Sequence, residues 1–351
     1  MKTFLLYGSY GYTGQLIVEL AMKDGLHLML AGRNERKLRA QARKYNLEYR
    51  AFSLNETTKL DSALNEVDAV LHCAGPFVLT FRQMAEACLR TKKHYVDISG
   101  EIPGFEALAS MNDEAKQAGI MLLPGAGFDV VPTDCLAMHL KQRLPDATRL
   151  RLFLSGVGAG VSRGTAKSAI ENMHRQGMIR RDSKLVQVPP VWKALMQDFG
   201  RGPVRVISVG WGDVSTAYHS TGIPNVETYL ALPQALIRVM YDMRVIGPLL
   251  YNRPAKILLK SLINLYPQGP TQARRMKSFA TIIGEVMDDQ GGRAVSKLQT
   301  PEGYTCTALT TVEIMKRILN EEFKPGFQTP SLVYGKDFIM QFDGVKRGDI
   351  I

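Results

Sequence analysis

A glycine-rich string near the amino terminus has the residue types and spacing that suit binding of a diphosphate. It reads Gly8-Ser9-Tyr10-Gly11-Tyr12-Thr13-Gly14, follows a short apolar run and opens a segment of helical period. The first glycine permits a tight turn, the second lets backbone approach a pyrophosphate, and the third lets a helix pack on a strand. The helix start then offers N–H groups and the positive end of its dipole. The string therefore predicts a dinucleotide site, with a merely structural glycine-rich turn as the alternative.

The residues that end the second predicted strand bear on which dinucleotide is bound. Folds that prefer NAD carry an acidic residue about 20 positions further on, which accepts hydrogen bonds from the ribose hydroxyls. This chain has Ala31-Gly32-Arg33-Asn34 instead, and no acidic residue occurs from Leu26 to Asn34. A guanidinium suits a 2′-phosphate. We therefore expect Arg33 and Asn34 to contact the cofactor and expect NADP(H) as that cofactor, unless Arg33 is only a solvated residue before the next helix.

Three further stretches follow predicted strands, which is where ligands bind in open α/β folds. They are His72-Cys73-Ala74-Gly75-Pro76-Phe77, Tyr95-Val96-Asp97-Ile98-Ser99-Gly100-Glu101 and Gly125-Ala126-Gly127-Phe128-Asp129-Val130-Val131-Pro132-Thr133-Asp134. We expect the segment Cys73-Ala74-Gly75-Pro76 to contact the cofactor, because its small residues remove bulk and its proline restricts the backbone. A plain turn before the next helix explains the same residues.

The candidate catalytic residues are carboxylates and tyrosines. Asp97 and Glu101 lie at a strand carboxyl end, where they could position an amine or act as acid and base; capping of a turn and a helix explains them equally well. Asp129 is expected to face a cleft between two domains. Tyr95 or Tyr218 could donate a proton to a reduced product. The Tyr-x-x-x-Lys arrangement of short-chain reductases is absent from the chain, which counts against carbonyl reduction by that mechanism.

The elements that must place these residues alternate regularly from Met1 to Phe128. Short apolar runs alternating with helical segments predict an α/β fold, a Rossmann doubly wound parallel sheet. The predicted strands are Thr3–Tyr7, Leu26–Ala31, Tyr49–Leu54, Ala69–Cys73, Tyr95–Ile98 and Ile120–Leu123. The predicted helices are Thr13–Lys23, Glu35–Lys44, Thr58–Asn65, Arg82–Arg90 and Phe105–Gln117.

After Pro132 this alternation ends, and the sequence predicts a second, mixed α+β domain. Its predicted strands are Arg149–Leu154, Val204–Val209, Tyr229–Leu232, Ser278–Met287 and Gly292–Gln299. The last two are joined by a hairpin signal at Asp288-Asp289-Gln290-Gly291. The predicted helices are Thr165–Arg175, Gln234–Val245 and Ala255–Leu265. We therefore expect a nucleotide-binding domain over residues 1–128 and a substrate and dimerisation domain over residues 129–329.

Together, the glycine-rich string and the three strand-end stretches resemble the saccharopine dehydrogenase-like oxidoreductases, in the branch that includes trans-acting enoyl reductases. The similarity continues through Ser162-Arg163-Gly164-Thr165, Trp211-Gly212-Asp213, Tyr218-His219-Ser220-Thr221-Gly222-Ile223-Pro224-Asn225 and Phe327-Gln328-Thr329-Pro330, and so covers nearly the whole chain. The resemblance implies hydride transfer by an NADP-type Rossmann domain joined to a mixed substrate domain. It also implies that a last helix, at about 330–345, returns to the first domain. Because the group includes imine-forming and enoyl reductases, the reduced bond stays open between C=N and C=C.

Composition excludes several classes of protein. Of the 351 residues, 45% are hydrophobic and 22% are charged, which is typical of a globular protein and not of a disordered one. Four widely spaced cysteines form no metal-binding pattern, so we expect no metal site and a reducing, cytoplasmic setting. The amino-terminal apolar run is too short for a signal peptide. No stretch of 18 residues is free of charge, so we expect no membrane span.

Positive charge is concentrated between residues 141 and 205. The whole chain carries a net charge of +11, and this segment alone has 13 basic residues against four acidic ones. Such an excess favours anionic partners such as the NADP phosphates, acyl carriers, coenzyme A thioesters or anionic lipid. A solvated basic surface is the simplest interpretation, and nucleic acid is not expected because no reading module is present.

The two apolar helices predicted at Gln234–Val245 and Ala255–Leu265 raise the question of a membrane surface. Charged residues lie among their apolar ones, as in an interfacial helix pair. A buried core, or a contact between two copies in a homodimer, explains the same pattern, and we favour it over peripheral membrane contact.

These observations combine into one functional hypothesis. We expect an NADP(H)-dependent oxidoreductase that transfers hydride to or from a C=C or C=N bond of an apolar or acyl-type substrate. The methionine-rich second half favours such a substrate over a doubly charged amino acid. The alternative is a protein that binds NADPH without turnover, as a sensor or as a scaffold at a membrane or partner. It stays open because no clear acid–base set stands out.

Overall fold

The fold is described from a computed structural model. It describes residues 2–156, 160–172, 177–234, 236–238, 240–241, 261–263, 265 and 267–351. The chain divides into two compact units. Unit 1 comprises Met1–Phe128 and Tyr304–Val333, and unit 2 comprises Asp129–Gly303 and Tyr334–Ile351.

The strands are β1 (Thr3–Tyr7), β2 (His27–Gly32), β3 (Tyr49–Ala51), β4 (Ala69–His72), β5 (His94–Asp97), β6 (Met121–Leu123), β7 (Arg149–Ser155), β8 (Gly177–Arg181), β9 (Lys184–Val188), β10 (Ala194–Asp198), β11 (Pro203–Val209), β12 (Asn225–Ala231), β13 (Phe279–Met287), β14 (Arg293–Pro301), β15 (Gly326–Phe327) and β16 (Lys346–Asp349). The α-helices with described bounds are α1 (Tyr12–Lys23), α2 (Glu35–Tyr45), α3 (Thr57–Asn65), α4 (Phe81–Thr91), α5 (Ile102–Ser110), α6 (Asn112–Ala118), α7 (Val131–Arg143), α8 (Arg163–Asn172), α9 (Asp213–Thr221), α10 (Gln272–Lys277), α11 (Gly303–Leu319) and α12 (Pro330–Tyr334). Short 3-10 helices cover Phe77–Leu79 and Phe338–Gln341.

Unit 1 contains a parallel seven-stranded sheet in the order β15-β6-β5-β4-β1-β2-β3. The predicted α/β class is confirmed, and the six strands predicted between Met1 and Phe128 all form close to their expected bounds. The register pairs Tyr7 with both Ala31 and His72, and pairs His72 with Asp97. The carboxyl ends of four neighbouring strands therefore lie level, which gathers the glycine-rich string and the strand-end stretches at one edge.

The segment that returns to unit 1 differs from the expected one. We expected a helix at about 330–345, but residues from Tyr334 onward belong to unit 2. The returning segment is Tyr304–Val333 instead, which contains most of α11 and the strand β15, paired with β6. Helix α11 is held by the loop after β6, because the Phe128 N–H donates to Thr307 Oγ1 at 3.0 Å. A two-residue strand has too little apolar pattern to be predicted.

Unit 2 contains a mixed sheet in the order β10-β11-β12-β7-β13-β14-β16, and the β8–β9 hairpin joins it at β12. Strand β7 runs parallel to β12 and antiparallel to β13. The predicted mixed α+β class and the β13–β14 hairpin are confirmed. Strands β8, β9 and β10 form between residues 177 and 198, where we predicted no strand. Helices α7 and α9 pack against each other and against this sheet.

The two predicted apolar helices at Gln234–Val245 and Ala255–Leu265 lie largely outside the described residues. No helix in the described part of the chain combines the length and apolar character that crossing a bilayer requires. The choice between membrane contact and a buried or dimeric role for these segments therefore stays a prediction.

Candidate functional site

The turn after β1 is packed against the turn after β4, backbone to backbone. Gly8 has a φ of +90° and its N–H donates to Ala31 O at 2.8 Å. A Cβ placed on Gly8 would lie 2.9 Å from the carbonyl carbon of Cys73 and 3.0 Å from the Ala74 nitrogen. Only glycine fits there without a shift of one backbone or the other.

Helix α1 packs closely on the same turn and begins without a side-chain cap. A Cβ on Gly14 would lie 2.5 Å from Gly8 O and 2.7 Å from Ser9 O. Gly11 is the N-cap residue, and it has no side chain with which to cap the N–H groups of the first helical turn. Uncapped N–H groups and the positive helix end together form a site for an anion. Thr13 lies in this first turn, half-buried.

Other residues of the string hold neighbouring elements in place. Ser9 is buried, and its hydroxyl donates to Gln41 Oε1 at 2.8 Å while Gln41 Nε2 donates to Ser9 O at 3.0 Å. The Tyr10 ring covers Gly32, and its oxygen accepts the Asn34 N–H at 3.3 Å. Gln41, on α2, is a partner that the sequence did not reveal, because it belongs to a different element and is distant from Ser9 along the chain.

Arg33 and Asn34 occupy the turn between β2 and α2 and differ in their roles. Asn34 caps α2, since its Oδ1 accepts the Lys37 N–H at 3.0 Å. Arg33 is exposed and forms no hydrogen bond or ion pair with any described residue. The guanidinium of Arg33 is therefore open to a ligand, whereas the Asn34 side chain is already used by the helix.

The loop after β4 is held from two sides. Both oxygens of the Glu101 carboxylate accept backbone N–H groups at the start of the 3-10 helix, from Phe77 at 3.2 Å and from Val78 at 2.7 Å. Across the loop, the Thr80 hydroxyl donates to Ala74 O at 2.8 Å. Of the predicted contact segment, Gly75 is exposed, its neighbours Cys73, Ala74 and Pro76 are half-buried, and the Gly75–Pro76 peptide is cis.

His72 completes this arrangement as a neutral side chain. Its Nε2 lies 2.9 Å from Thr80 Oγ1. The Thr80 hydroxyl has a single proton, which it donates to Ala74 O. His72 Nε2 therefore carries a proton and donates it to Thr80 Oγ1. The buried Nδ1 then has no proton, and it has no hydrogen-bond partner among the residues that the structure describes. Burial lowers the pKa of His72 to about 3, so the ring positions the loop and does not exchange protons near neutrality.

Asp97 joins the ends of two strands from a fully buried position. Its carboxylate accepts the Tyr95 hydroxyl at 2.6 Å and the N–H groups of Ser99 and Gly125, each at 2.9 Å. Its own carbonyl accepts the Ala126 N–H at 2.7 Å. Burial raises the pKa of Asp97, and the three hydrogen bonds oppose that rise. With 1% of its surface exposed, Asp97 is placed to support the strand ends.

Helix α11 supplies contacts at this edge that the sequence did not predict. Thr310 and Thr311 both donate to Ala126 O, at 2.7 and 3.2 Å. Near the start of α11, the Tyr304 ring meets the Tyr12 ring edge to face, with centroids 4.9 Å apart. A threonine-rich run from Thr305 to Thr311 was the available signal, because buried threonines on a helix need carbonyl partners.

Most of the parallel sheet of unit 1 lies in a segment that matches a known protein family. Residues 4–123 match the family model for the saccharopine dehydrogenase NADP-binding domain. This part of unit 1 is similar to the NADP-binding domains of saccharopine dehydrogenases. The expected resemblance and the expected cofactor, NADP(H), are thereby confirmed, while the roles of the individual residues stay predictions.

Curated relatives share part of this chain. A lipid droplet localized protein of Caenorhabditis elegans is 30% identical over 152 residues, covering 39% of this chain and 36% of that protein. A probable mitochondrial saccharopine dehydrogenase-like oxidoreductase of Arabidopsis thaliana is 26% identical, covering 39% and 34%. A trans-acting enoyl reductase of Mycobacterium leprae is 26% identical, covering 40% and 35%. The matched part of this chain thus spans about a third of each relative.

The fold of the whole chain has a solved counterpart. Apo saccharopine dehydrogenase (L-Glu forming) of Saccharomyces cerevisiae superposes with a TM-score of 0.66 over 100% of both chains, at 13% identity. The likeness confirms the Rossmann domain joined to a mixed α+β domain. At this level of identity it concerns the fold alone.

Arg33→Ala tests the expected cofactor preference of the NADP-binding domain. We expect NADPH affinity to fall about 10- to 100-fold and NADH affinity to change less than about twofold, because only NADPH carries a 2′-phosphate for the guanidinium. Fluorescence titration with both nucleotides measures this. Arg36→Ala, at an exposed position of α2, is the matched control. Equal losses for the two nucleotides would contradict the assignment.

Two predicted catalytic residues lie outside the NADP-binding domain, in unit 2. Asp129 is half-buried and comes just before α7. Tyr218, on α9, is also half-buried; the Arg180 guanidinium lies 4.2 Å from its ring centroid, and the His219 ring lies edge to face at 5.9 Å. Within the described part of the chain, the Tyr218 oxygen forms no hydrogen bond. A catalytic role for either residue stays a prediction.

A buried carboxyl group joins α7 and α9. Asp213 is fully buried, and one of its oxygens contacts the Thr133 hydroxyl while the other has no hydrogen-bond partner in the described ranges. The single Thr133 proton also lies within reach of Val130 O, at 2.9 Å. When the Asp213 carboxyl is protonated, it can donate to the Thr133 hydroxyl while that hydroxyl donates to Val130 O. Both contacts of Thr133 are then hydrogen bonds. Burial, reinforced by the charges of Asp134 and Asp129, raises the pKa of Asp213 well above its ordinary value.

Asp213→Asn is expected to flatten the pH dependence of stability. A raised native pKa means that native protein holds a proton that unfolded protein has lost, so stability falls as the pH rises above the ordinary aspartate value. The amide does not titrate, so the variant gains roughly 1–2 kcal/mol over wild type between pH 4 and neutrality. Denaturant unfolding across this pH range measures the difference. A constant gap between the two proteins would show that Asp213 is not the titrating group.

Proposed function

We propose that this protein is an NADP(H)-dependent oxidoreductase that transfers hydride to or from a C=C or C=N bond of an apolar or acyl-type substrate. The observation that supports this most directly is the backbone cradle, in which Cβ atoms on Gly8 and Gly14 would collide with neighbouring backbone. Such close packing suits a diphosphate lying on the turn. When bound, NADPH supplies the hydride.

The chain's own residues would then bind and orient the cofactor. The string from Gly8 to Gly14 would hold the diphosphate, and Arg33 the 2′-phosphate. The loop from Cys73 to Pro76 would border the nicotinamide half. Glu101 shapes this loop through the N–H groups of Phe77 and Val78, which makes it a positioning residue in this proposal. Tyr218 is the candidate for the residue that would donate a proton to the product.

We favour C=C reduction over C=N reduction because several curated relatives are trans-acting enoyl reductases. We also propose a cytoplasmic setting, which the four free cysteines Cys73, Cys88, Cys135 and Cys306 support. Catalytically silent NADPH binding is the second candidate. It is favoured by one observation: the carboxylates of Asp97 and Glu101 already accept hydrogen bonds within the fold.

Titration with NADPH and NADH, followed by a screen for NADPH oxidation, tests the proposal. Enoyl thioesters, and carbonyl–amine pairs that form imines, serve as substrates. Selective NADPH binding with turnover supports an oxidoreductase, selective binding without turnover supports the silent alternative, and no binding contradicts both.

Glu101→Gln distinguishes positioning from acid–base chemistry once turnover is found. The amide keeps only one oxygen acceptor, so we expect turnover to fall about 3- to 10-fold with the shape of the pH profile unchanged. Loss of one limb of that profile would show that the Glu101 carboxyl itself exchanges protons.

A further inference from the structure

A cavity of about 590 Å³ in unit 2 gathers basic residues that the proposed hydride transfer does not use. It lies where the amino-terminal ends of β7 and β12 meet the β8–β9 hairpin. Its charged lining residues are Arg149, Arg151, Arg180, Arg181 and Lys193, against Asp182, Glu227 and Asp289. Five cations against three carboxylates give the lining a net charge of +2. Five of the 13 basic residues of segment 141–205 therefore line one cavity.

The sheet register explains why two of these arginines point into the same space. Strands β7 and β12 are parallel neighbours, and Arg149 pairs with Asn225 while Arg151 pairs with Glu227. Alternate residues of a strand lie on one face, about 6–7 Å apart. Arg149 and Arg151 therefore project from the same face, together with their partners on β12.

Three of the five basic side chains that line the cavity already form hydrogen bonds within the fold. Arg149 donates to Asp289 Oδ1 at 2.7 Å, and Lys193 donates to Glu227 Oε1 at 2.6 Å. Arg180 is buried, and its guanidinium donates to the carbonyls of Val214 and Ser183. These three cations are engaged and shape the walls.

Two arginines keep their donors available. Arg151 forms a long ion pair with Glu285, with 3.7 Å between Nη1 and Oε2, but no hydrogen bond, and Glu285 makes its closer contact with Arg293. Arg181 is exposed, and its side chain forms no hydrogen bond or ion pair with the residues described around it. Each guanidinium has five N–H donors in a planar fork that matches phosphate oxygens. Two guanidinium forks that form no hydrogen bonds with described residues, in one cavity of net positive charge, suit a ligand with several anionic oxygens.

We propose that this cavity binds the diphosphate or phosphate monoester group of a small ligand, with Arg151 and Arg181 as its main contacts. The site goes beyond the proposed function, because its lining residues belong to unit 2, whereas the glycine-rich turn belongs to unit 1. Its volume falls in the range of small-molecule pockets. The net charge of the lining would be balanced by a dianion.

Calorimetric titration of the nucleotide-free protein with inorganic pyrophosphate tests the site, and the binding that belongs to the cavity is the part that a variant of its two arginines loses. We expect saturable binding to wild type. Arg151→Gln/Arg181→Gln should weaken it by at least about tenfold, since two charge-assisted contacts are lost. Because neither side chain is hydrogen-bonded to a described residue, the variant is expected to keep the wild-type unfolding temperature. Arg181→Gln alone, at an exposed position, gives a second measurement with an intermediate loss.

Arg274→Gln is the matched control, because Arg274 is exposed in the same unit but lies outside the cavity. It should change the dissociation constant for pyrophosphate by less than about twofold. An equal loss in the control would show diffuse attraction to a basic surface and would overturn the site, as would the absence of saturable binding. Parallel titrations with inorganic phosphate and with phosphatidic acid vesicles distinguish a free phosphate ligand from a lipid headgroup.

Discussion

Gly8→Ala is expected to abolish measurable NADPH binding and to lower the free energy of unfolding by about 2–4 kcal/mol. Two costs combine at this position. The backbone has a φ of +90°, which residues with a Cβ rarely adopt, and the new methyl group would lie 2.9 Å from the Cys73 carbonyl carbon. Relief of the collision requires the turns after β1 and β4 to separate. That separation would open the diphosphate cradle.

Gly25→Ala is the control that separates the two costs. Gly25 also has a positive φ, of +71°, but no atom lies within 4 Å of a Cβ placed on it. It should lose only about 1 kcal/mol and keep NADPH affinity. Denaturant unfolding and nucleotide titration on both variants give the comparison. Equal destabilisation would mean that backbone conformation alone, and not the contact between the two turns, makes glycine necessary at position 8.

Asp97→Ala is expected to destabilise the protein by about 3–5 kcal/mol. The substitution leaves three donors without their acceptor: the Tyr95 hydroxyl and the N–H groups of Ser99 and Gly125. All lie at the buried carboxyl edge of the parallel sheet, where water cannot readily replace the lost acceptor. We also expect weaker NADPH binding, because the strand ends that border the cofactor would lose their connection.

Tyr95→Phe is the control variant for Asp97→Ala. It removes only one of the three donors and keeps the buried ring, so it should cost about 1 kcal/mol. Urea unfolding of wild type and both variants measures the two values. If Asp97→Ala costs no more than Tyr95→Phe, Asp97 does not hold the strand ends, and its interpretation as an acid–base residue becomes the better one.

The residues in these predictions show why the candidate site was only partly predictable. Gly8 belongs to a local pattern of strand, turn and helix, so its role was readable from spacing. Glu101 and Asp97 were found as carboxylates at a strand end, but their partners were not. The Glu101 contacts lie 23 and 24 residues away in sequence, and one Asp97 contact lies 28 residues away. Spacing carries no information about such pairs, so catalytic and supporting roles looked alike.

The sequence by itself determined the alternating elements of unit 1, the glycine-rich turn and the class of its cofactor. These features depend on periodicity and on residues close together along the chain. Tertiary packing decided which segment returns to unit 1, which polar groups meet at the sheet edge, and which basic residues of segment 141–205 share a cavity. Each of these depends on the register of strands and on side chains that are distant in sequence, and the free energy of such contacts exists only once the elements have packed.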